Sequence, residues 1–312
     1  MNVYVRELAA AMARQGTHVD VYTRADDPSV PAVVAVEPGF AVHHIAAGPL
    51  APVPKDELPA LVDEFVEGVS ARLVGDHPAD ALHANYWLSG VAGHELKHRF
   101  DIPLGCTFHT LARVKGEAGV VDPTDSDERI KAEMAVIGCS DAVLAACDEE
   151  AEQLVRLYDA DFDRVAIVPP GVDRAFFSPG ARAGLSPGAR AGARRAIGVD
   201  IDRPVLLAVG RIQPLKGLDV AVRALAAMDS SCVLVVVGGP SGRDGSAYLA
   251  RVREEARAMG VLDRIRWVPP QPHELLSSYY RAADVVLVPS QTESFGLVAL
   301  EAAACGVPVV AT

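Results

Sequence analysis

Asp284-Val-Val-Leu-Val-Pro289 has the pattern of a buried strand, and Glu293-Ser-Phe-Gly-Leu-Val-Ala-Leu-Glu301 after it has a helical pattern. A buried strand followed by a helix indicates an α/β fold. The run from Phe295 to Cys305 has helix-forming residues and no proline, which predicts Glu293 at or just before the helix N-terminus and Glu301 two turns further along. In a continuous helix the carboxylates would lie about 12 Å apart along the axis, offset by about 80°. This spacing suits a nucleoside diphosphate sugar, although a helix cap plus a solvated carboxylate is the simpler explanation of the pair alone.

Length and composition indicate a two-domain globular enzyme. The 312 residues exceed what one hydrophobic core usually serves, and half of them are apolar. No apolar run approaches the roughly 20 residues that span a bilayer, so we expect no transmembrane segment. The net charge of -12 argues against nucleic acid or an anionic membrane as a main partner, because either requires a clustered basic face.

The cysteines and the N-terminus predict a cytoplasmic protein. The five cysteines are scattered and lack Cys-x-x-Cys spacing, so we expect small buried residues in a reducing compartment and neither disulfides nor a metal site. The chain does not open with a charged segment followed by an apolar stretch, so we expect no signal peptide. The sequence does not fix the oligomeric state, and a homodimer stays open.

Short β-branched runs alternate with helical stretches, which is typical of parallel sheets covered by helices in α/β proteins. The first series of predicted strands covers residues 18–23, 41–45, 81–83, 103–108, 142–145 and 165–168. The second series covers residues 205–209, 233–237, 265–268, 285–288 and 307–311. Two series predict two Rossmann-like domains.

A tandem repeat separates the two series. Ser178-Pro-Gly-Ala-Arg-Ala-Gly-Leu185 is almost repeated as Ser186-Pro-Gly-Ala-Arg-Ala-Gly-Ala193, with no core-facing period, which indicates a linker. We therefore predict an N-terminal domain over 1–178, a linker over 179–203 and a C-terminal domain over 204–312. The chain begins with a helix and stops after a strand, whereas a doubly wound sheet opens with a strand. We expect a fragment lacking both termini, poorly stable and weakly active or inactive.

Candidate ligand-binding residues follow predicted strands in both series. Gly210-Arg211-Ile-Gln-Pro-Leu-Lys216-Gly217 places two cations on one strand-to-helix loop, where they can converge on a phosphate or simply face solvent. His109 ends a strand in the first series, and open α/β sheets bind ligands at the carboxyl ends of their strands. A lone histidine is often structural, but this position favours a functional one.

These segments resemble the retaining glycosyltransferases of the GT-B fold that carry the Glu-x7-Glu motif, the family 4 type. The resemblance covers nearly the whole chain and is greatest to members that transfer GlcNAc from UDP-GlcNAc to 1D-myo-inositol 3-phosphate in mycothiol biosynthesis. It rests on His-x-x-Tyr-Trp-Leu-Ser-Gly90, Thr-Phe-His-Thr-Leu-Ala-x-Val-Lys115, Val-Gly-Arg-Ile-Gln-Pro-Leu-Lys216 and Gly-Gly-Pro-Ser-Gly242. Asn85 departs from it, since those members have histidine there.

The resemblance implies a role for each matching residue. The donor would contact five of them: Arg211 and Lys216 at the diphosphate, Gln271 beside the base, Glu293 at the sugar and Glu301 at the ribose. His109 would lie under the transferred sugar, so His109 and Glu293 are the implied catalytic residues. The phosphorylated acceptor would contact Asn2, Lys55, Tyr86, Thr110 and Arg129. The loop at Tyr280, Arg281 and Ala283 matches an ion site, here for Mg²⁺, although the chemistry requires no cofactor.

The resemblance also implies retention of anomeric configuration. Retaining glycosidases use two carboxylates about 5 Å apart, much closer than the separation estimated for Glu293 and Glu301. We therefore expect front-face attack, with the leaving diphosphate helping to take the acceptor proton. Two alternatives stay open: a family member with another acceptor, of sucrose-phosphate or mannosyl-transfer type, and a noncatalytic nucleotide-sugar-binding fragment.

Overall fold

The computed structural model describes residues 2–74, 78–117, 119, 126–180, 187–242, 244–291, 293 and 296–312, with only the backbone of 187–189. The chain divides into two compact units, Met1–Pro169 (unit 1) and Pro170–Thr312 (unit 2). Each unit contains parallel strands covered by helices, as the alternating sequence pattern predicts. The predicted α/β class is therefore confirmed, with a parallel sheet in each unit.

Unit 1 contains two sheets. The elements are α1 (Asn2–Arg14), β1 (Val19–Arg24), β2 (Val33–Glu37), β3 (Phe40–Ile45), α2 (Val62–Leu73), β4 (Leu82–Asn85), α3 (Trp87–Phe100), β5 (Leu104–Thr107), α4 (Ala112–Glu117), α5 (Asp127–Cys139), β6 (Ala142–Ala145), α6 (Asp148–Tyr158) and β7 (Val165–Ile167). A three-stranded sheet has the order β1-β3-β2, and a four-stranded parallel sheet has the order β4-β5-β6-β7.

Unit 2 contains one five-stranded parallel sheet of order β10-β9-β8-β11-β12. The elements are α7 (Pro187–Ile197), β8 (Val205–Val209), α8 (Leu218–Ala227), β9 (Val233–Val237), α9 (Gly245–Ala258), β10 (Ile265–Val268), α10 (Leu276–Ala282), β11 (Val285–Val288), α11 (Leu297–Ala304) and β12 (Val309–Ala311). The central strands are almost continuously apolar because helices cover both faces of the sheet.

The sequence analysis predicts every strand but β2. This strand pairs antiparallel with β3 across the Pro38-Gly39 turn, with a register shift between Ala35 and Glu37. Its residues are mostly exposed because it forms the edge of its sheet. Its Val-Val-Ala-Val run and the following turn indicate a β-hairpin. The predictions above cover only the strands of parallel units and therefore omit β2.

The second copy of the tandem repeat forms a helix, where the sequence analysis expects a linker without a core-facing period. Arg194 on α7 is 5% exposed and donates to Asp284 Oδ2 at 2.6 Å and to the Ala282 carbonyl at 2.9 Å. The same Asp284 oxygen accepts from the Val205 backbone N–H at 2.7 Å. These charged hydrogen bonds thus anchor α7 beside the first residues of β8 and β11. A periodic pattern of apolar residues does not indicate such contacts. The predicted domain bounds remain predictions.

The cysteines are less uniformly buried than expected. Cys106, Cys232 and Cys305 are buried, whereas Cys139 is half-buried and Cys147 is exposed, and all five thiols are free. The expectation of five buried thiols is therefore wrong at two positions. Among the described residues, none of the helices combines the length and apolar character that crossing a bilayer requires.

Candidate active site

In unit 2, three loops meet at the carboxyl edge of the parallel sheet. The loop 210–217 follows β8, and its Ile212 donates an N–H to the Gly239 carbonyl in the loop after β9 at 2.8 Å. Leu215 in the same loop accepts from the Gln291 N–H, in the loop after β11, at 2.9 Å. Backbone hydrogen bonds from both sides therefore fix the loop that carries Arg211 and Lys216.

Gly217 permits a close approach between the loops after β8 and β11. Its φ is +61°, in the left-handed region, and a Cβ atom built there would lie 1.9 Å from the Pro289 carbonyl oxygen. No side chain fits without moving the backbone. The glycine that ends the Arg-x4-Lys loop is thus required by packing, and it directly precedes α8.

Arg211 and Lys216 line one cavity at this edge, together with Ser290 and the ends of β8 and β11. Lys216 Nζ forms an ion pair with Glu293 Oε2 at 2.6 Å, and Ser290 Oγ donates to the same oxygen at 3.2 Å. Arg211 is exposed, and among the described residues none forms a hydrogen bond or ion pair with its guanidinium. One cation is therefore held by a carboxylate, and the other is available to an anion.

Glu293 lies outside the helix, which corrects the geometry expected from the sequence. Helix α11 begins at Leu297, and Gly296 before it has a φ of +60° in the left-handed region. The helical rise does not apply over the whole segment from Glu293 to Glu301, so the separation estimated from it loses its basis. Phe295, the predicted first helical residue, lies outside the described residues.

Glu301 is inside α11 and only 5% exposed. Its Oε2 accepts from the Tyr280 hydroxyl at 2.5 Å, and its Oε1 lies 2.8 Å from His273 Nε2. Tyr280 is fully buried, and its pKa is raised by burial and by the Glu301 carboxylate, so the phenol stays protonated as the donor. The structure thus gives Glu301 two protein partners that the sequence analysis does not identify.

The remaining predicted site residues of unit 2 are Gln271 and the proposed ion-binding residues. Gln271 follows β10, and its amide donates to the Pro269 carbonyl at 3.0 Å. Tyr280 and Arg281, which the sequence analysis places in a loop, lie in the last turn of α10, and Ala283 follows the helix. The Ala283 N–H donates to the Tyr280 carbonyl at 3.0 Å, and Arg281 donates to the Ser178 carbonyl at 3.1 Å.

In unit 1, two non-glycine residues adopt positive φ angles at the ends of adjacent strands. Tyr86 follows β4 with φ 81° and ψ 156°, and His109 follows β5 with φ 63°. Such conformations cost about 1–3 kcal/mol each and cluster at functional sites. The Tyr86 N–H donates to the Thr107 carbonyl at 2.8 Å, so the strained turn is held by the neighbouring strand.

His109 is a buried, neutral histidine. Burial lowers its pKa to about 3, which keeps the imidazole uncharged at physiological pH. Its Nε2 lies 2.9 Å from Asn85 Oδ1, and since that oxygen only accepts, Nε2 carries the hydrogen. Tyr4 packs edge-on against the ring, with centroids 5.0 Å apart. Asn85, the position that departs from the resemblance, therefore orients the predicted catalytic histidine.

Three predicted acceptor residues come together, in an arrangement that the sequence does not predict. Arg129 is 1% exposed, stacks over the Tyr86 ring at 5.2 Å and donates to the Thr110 carbonyl at 3.0 Å. Its Nε donates to Glu133 Oε1 at 2.8 Å. The resemblance places Arg129 at the acceptor phosphate, and the structure shows it buried in an ion pair with Glu133, one turn further along α5.

The remaining acceptor candidates, Asn2 and Lys55, are both exposed. Asn2 begins α1, and Lys55 lies in a turn before α2. Within the described part of unit 1, no hydrogen bond or ion pair joins them to the Tyr86 cluster, so their predicted roles stay predictions.

Comparison with known proteins identifies the family. The family model described as "Glycosyl transferase 4-like domain" matches residues 1–171, and the family model described as "Glycosyl transferases group 1" matches residues 190–312. The D-inositol 3-phosphate glycosyltransferase of Xylanimonas cellulosilytica is 46% identical over 318 residues, which cover 100% of this chain and 74% of the relative. The enzyme of the same name from Acidothermus cellulolyticus is 44% identical and covers 100% of this chain and 70% of that one.

Solved structures agree with this result. Sucrose-phosphate synthase from Thermosynechococcus elongatus matches with a TM-score of 0.88 at 33% identity, covering 99% of this chain and 75% of that one. The lipopolysaccharide glycosyltransferase WaaG matches in fold, with a TM-score of 0.70 at 21% identity over 98% of this chain and 76% of that one. The chain therefore belongs to the GT-B glycosyltransferases of the family 4 type, and it is a glycosyltransferase.

Proposed function

We propose that this glycosyltransferase moves GlcNAc from UDP-GlcNAc to a hydroxyl of 1D-myo-inositol 3-phosphate, with retention of anomeric configuration. The observation that carries this proposal is the identity of 44–46% over the whole chain to relatives named D-inositol 3-phosphate glycosyltransferase. The donor cavity of unit 2 and the strained strand ends of unit 1 support it.

The donor diphosphate binds at the loop of Arg211 and Lys216. Arg211 supplies a planar fork of donors to the phosphate oxygens, and Lys216 supplies a point charge that Glu293 positions. Negative charge grows on the leaving diphosphate as the glycosidic bond breaks. Cations fixed before the reaction lower the barrier because they need no rearrangement as that charge develops.

The carboxylates position the donor rather than act as an acid/base couple. Glu293, already beside Lys216, contacts the transferred sugar, and Glu301 accepts from the ribose hydroxyls. A carboxylate has about four lone-pair sites, so the bonds from Tyr280 and His273 leave Glu301 acceptor capacity. Gln271 lies beside the base. An Mg²⁺ ion at the end of α10, beside Tyr280, Arg281 and Ala283, would take no part in the chemical step.

The acceptor binds at the strand ends of unit 1. Neutral His109, oriented by Asn85, lies under the transferred sugar as an uncharged hydrogen-bonding group. Buried Arg129 acts through the residues it orders, Tyr86 and Thr110. Exposed Lys55 and Asn2 contact the acceptor phosphate.

The test is product analysis after incubation with UDP-GlcNAc and 1D-myo-inositol 3-phosphate. We expect a product of the mass of GlcNAc-inositol phosphate, and an α-anomeric proton in its NMR spectrum because the donor is an α-glycoside. A β-linked product would refute retention, and release of UDP with free GlcNAc alone would refute transfer.

A second acceptor class is favoured by one observation. The structure with a TM-score of 0.88 is a sucrose-phosphate synthase. A sugar phosphate such as fructose 6-phosphate is therefore the competing acceptor. Turnover with it, and none with inositol phosphate, would select this candidate.

A further inference from the structure

Two histidines and a cysteine outside the candidate active site form a cluster on the surface of unit 1. His94 and His98 lie one turn apart on α3, and Cys139 is the last residue of α5. One ligand atom from each of the three lies within 4.8 Å of the other two, and His98 Nε2 is 3.1 Å from Cys139 Sγ. Among the described residues, no other group of three His, Cys, Asp or Glu side chains is so arranged.

We propose that His94, His98 and Cys139 form a binding site for Zn²⁺ that links α3 to the end of α5. Two imidazole nitrogens and one thiolate sulfur are ligands that Zn²⁺ accepts, with bonds of about 2.0–2.1 Å to nitrogen and 2.3 Å to sulfur. Three protein ligands leave the fourth tetrahedral position to water. The site is unrelated to the Mg²⁺ proposal, because Mg²⁺ prefers oxygen ligands.

The geometry requires little rearrangement. Tetrahedral bonds of these lengths place ligand atoms about 3.5 Å apart, so the widest separation contracts by about 1 Å. His98 is exposed, and His94 and Cys139 are half-buried, so the ligand side chains reach solvent. Residues four apart on a helix project from the same face, and this spacing brings both imidazoles toward the same thiol.

The surroundings hold the cysteine in place and offset the positive charge of Lys97. Lys97 Nζ donates to the Cys139 carbonyl at 2.9 Å, which ties the end of α5 to α3. The same ammonium forms an ion pair with Asp141 at 2.6 Å, and this carboxylate offsets the repulsion that Lys97 would exert on a cation.

The site would stabilise the helices that carry the Tyr86 cluster. Helix α3 begins directly after Tyr86, and α5 carries Arg129, which stacks over Tyr86 and Trp87. An ion that binds the folded but not the unfolded chain raises stability by mass action. The predicted effect is a melting temperature that rises with Zn²⁺ concentration.

Cobalt substitution tests the proposal, because a Co²⁺–thiolate bond gives a charge-transfer absorption in the near ultraviolet. The experiment uses untagged protein cleared of metal with a chelator and titrated with Co²⁺, then with Zn²⁺ as competitor. We expect about one Co²⁺ per chain, displaced by Zn²⁺, and a melting temperature that Zn²⁺ raises and Mg²⁺ does not.

Matched variants locate the site. Cys139→Ser should lose the charge-transfer band, and His94→Gln should weaken Co²⁺ binding at least tenfold. Cys147→Ser alters an exposed thiol outside the cluster and should keep both the charge-transfer band and the Co²⁺ affinity. No band in the unaltered protein would overturn the proposal even if a variant failed to fold. A band that persists in Cys139→Ser would overturn it as well.

Discussion

Replacing Arg211 with alanine should damage catalysis and leave the fold intact. The side chain is exposed, and among the described residues none forms a hydrogen bond or ion pair with it, so we expect the free energy of unfolding to change by less than about 0.5 kcal/mol. If Arg211 contacts the diphosphate about 4 Å away, the charge interaction is worth about 4 kcal/mol at an effective dielectric constant of 20. Removing one fixed donor from a charge-stabilising site typically costs about 100- to 1000-fold in rate.

The assay measures kcat and KM with UDP-GlcNAc and inositol 3-phosphate, UDP affinity by calorimetry and the melting temperature. We expect kcat/KM to fall about 100- to 1000-fold with an unchanged melting temperature. Arg195→Ala, at an exposed arginine on α7 in the same unit, is the matched control and should keep full activity. A loss below tenfold with unchanged UDP affinity would show that Arg211 does not contact the diphosphate.

Three further predictions concern stability. Gly217→Ala should lower the free energy of unfolding by at least about 1 kcal/mol, measured by urea denaturation, because the new Cβ would overlap the Pro289 carbonyl; no loss would mean that the loop moves easily. His109 has a folded pKa lowered to about 3, so stability should fall by about 1.4 kcal/mol per pH unit below 6.5 until pH 3, and His109→Gln should flatten that pH dependence. Tyr280→Phe should destabilise by about 1–3 kcal/mol because it leaves the buried Glu301 oxygen without its donor, and an unchanged melting temperature would contradict this.

The sequence predicts most of the fold because its strands carry strong local signals. Parallel strands buried on both faces are continuous apolar runs, and the central strands β8, β9 and β11 have this pattern. The exposed edge strand β2 lacks that signal, and α7 is anchored by Arg194 and Asp284 rather than by an apolar stripe. The anchoring of α7 depends on contacts between residues that are distant in the chain, whereas β2 depends on a local hairpin turn.

The candidate site is predicted less completely. The position of Arg211 and Lys216 on one strand-end loop follows from local pattern, and the structure places both at one cavity. The conformation of Gly296, which excludes Glu293 from α11, is not visible in helix propensity. Tyr280 and His273 reach Glu301 only through tertiary packing. The ion pair of Arg129 could be predicted, because Glu133 follows four residues later on the same helix, but its burial depends on tertiary packing.

The most direct test of the proposed function is the ratio of kcat/KM for competing acceptors with UDP-GlcNAc as donor. Inositol 3-phosphate, unphosphorylated inositol and fructose 6-phosphate would be compared under identical conditions. We expect kcat/KM for inositol 3-phosphate to exceed that for each of the others at least 100-fold, because the enzyme binds the acceptor phosphate. Equal turnover with unphosphorylated inositol, or preference for fructose 6-phosphate, would contradict it.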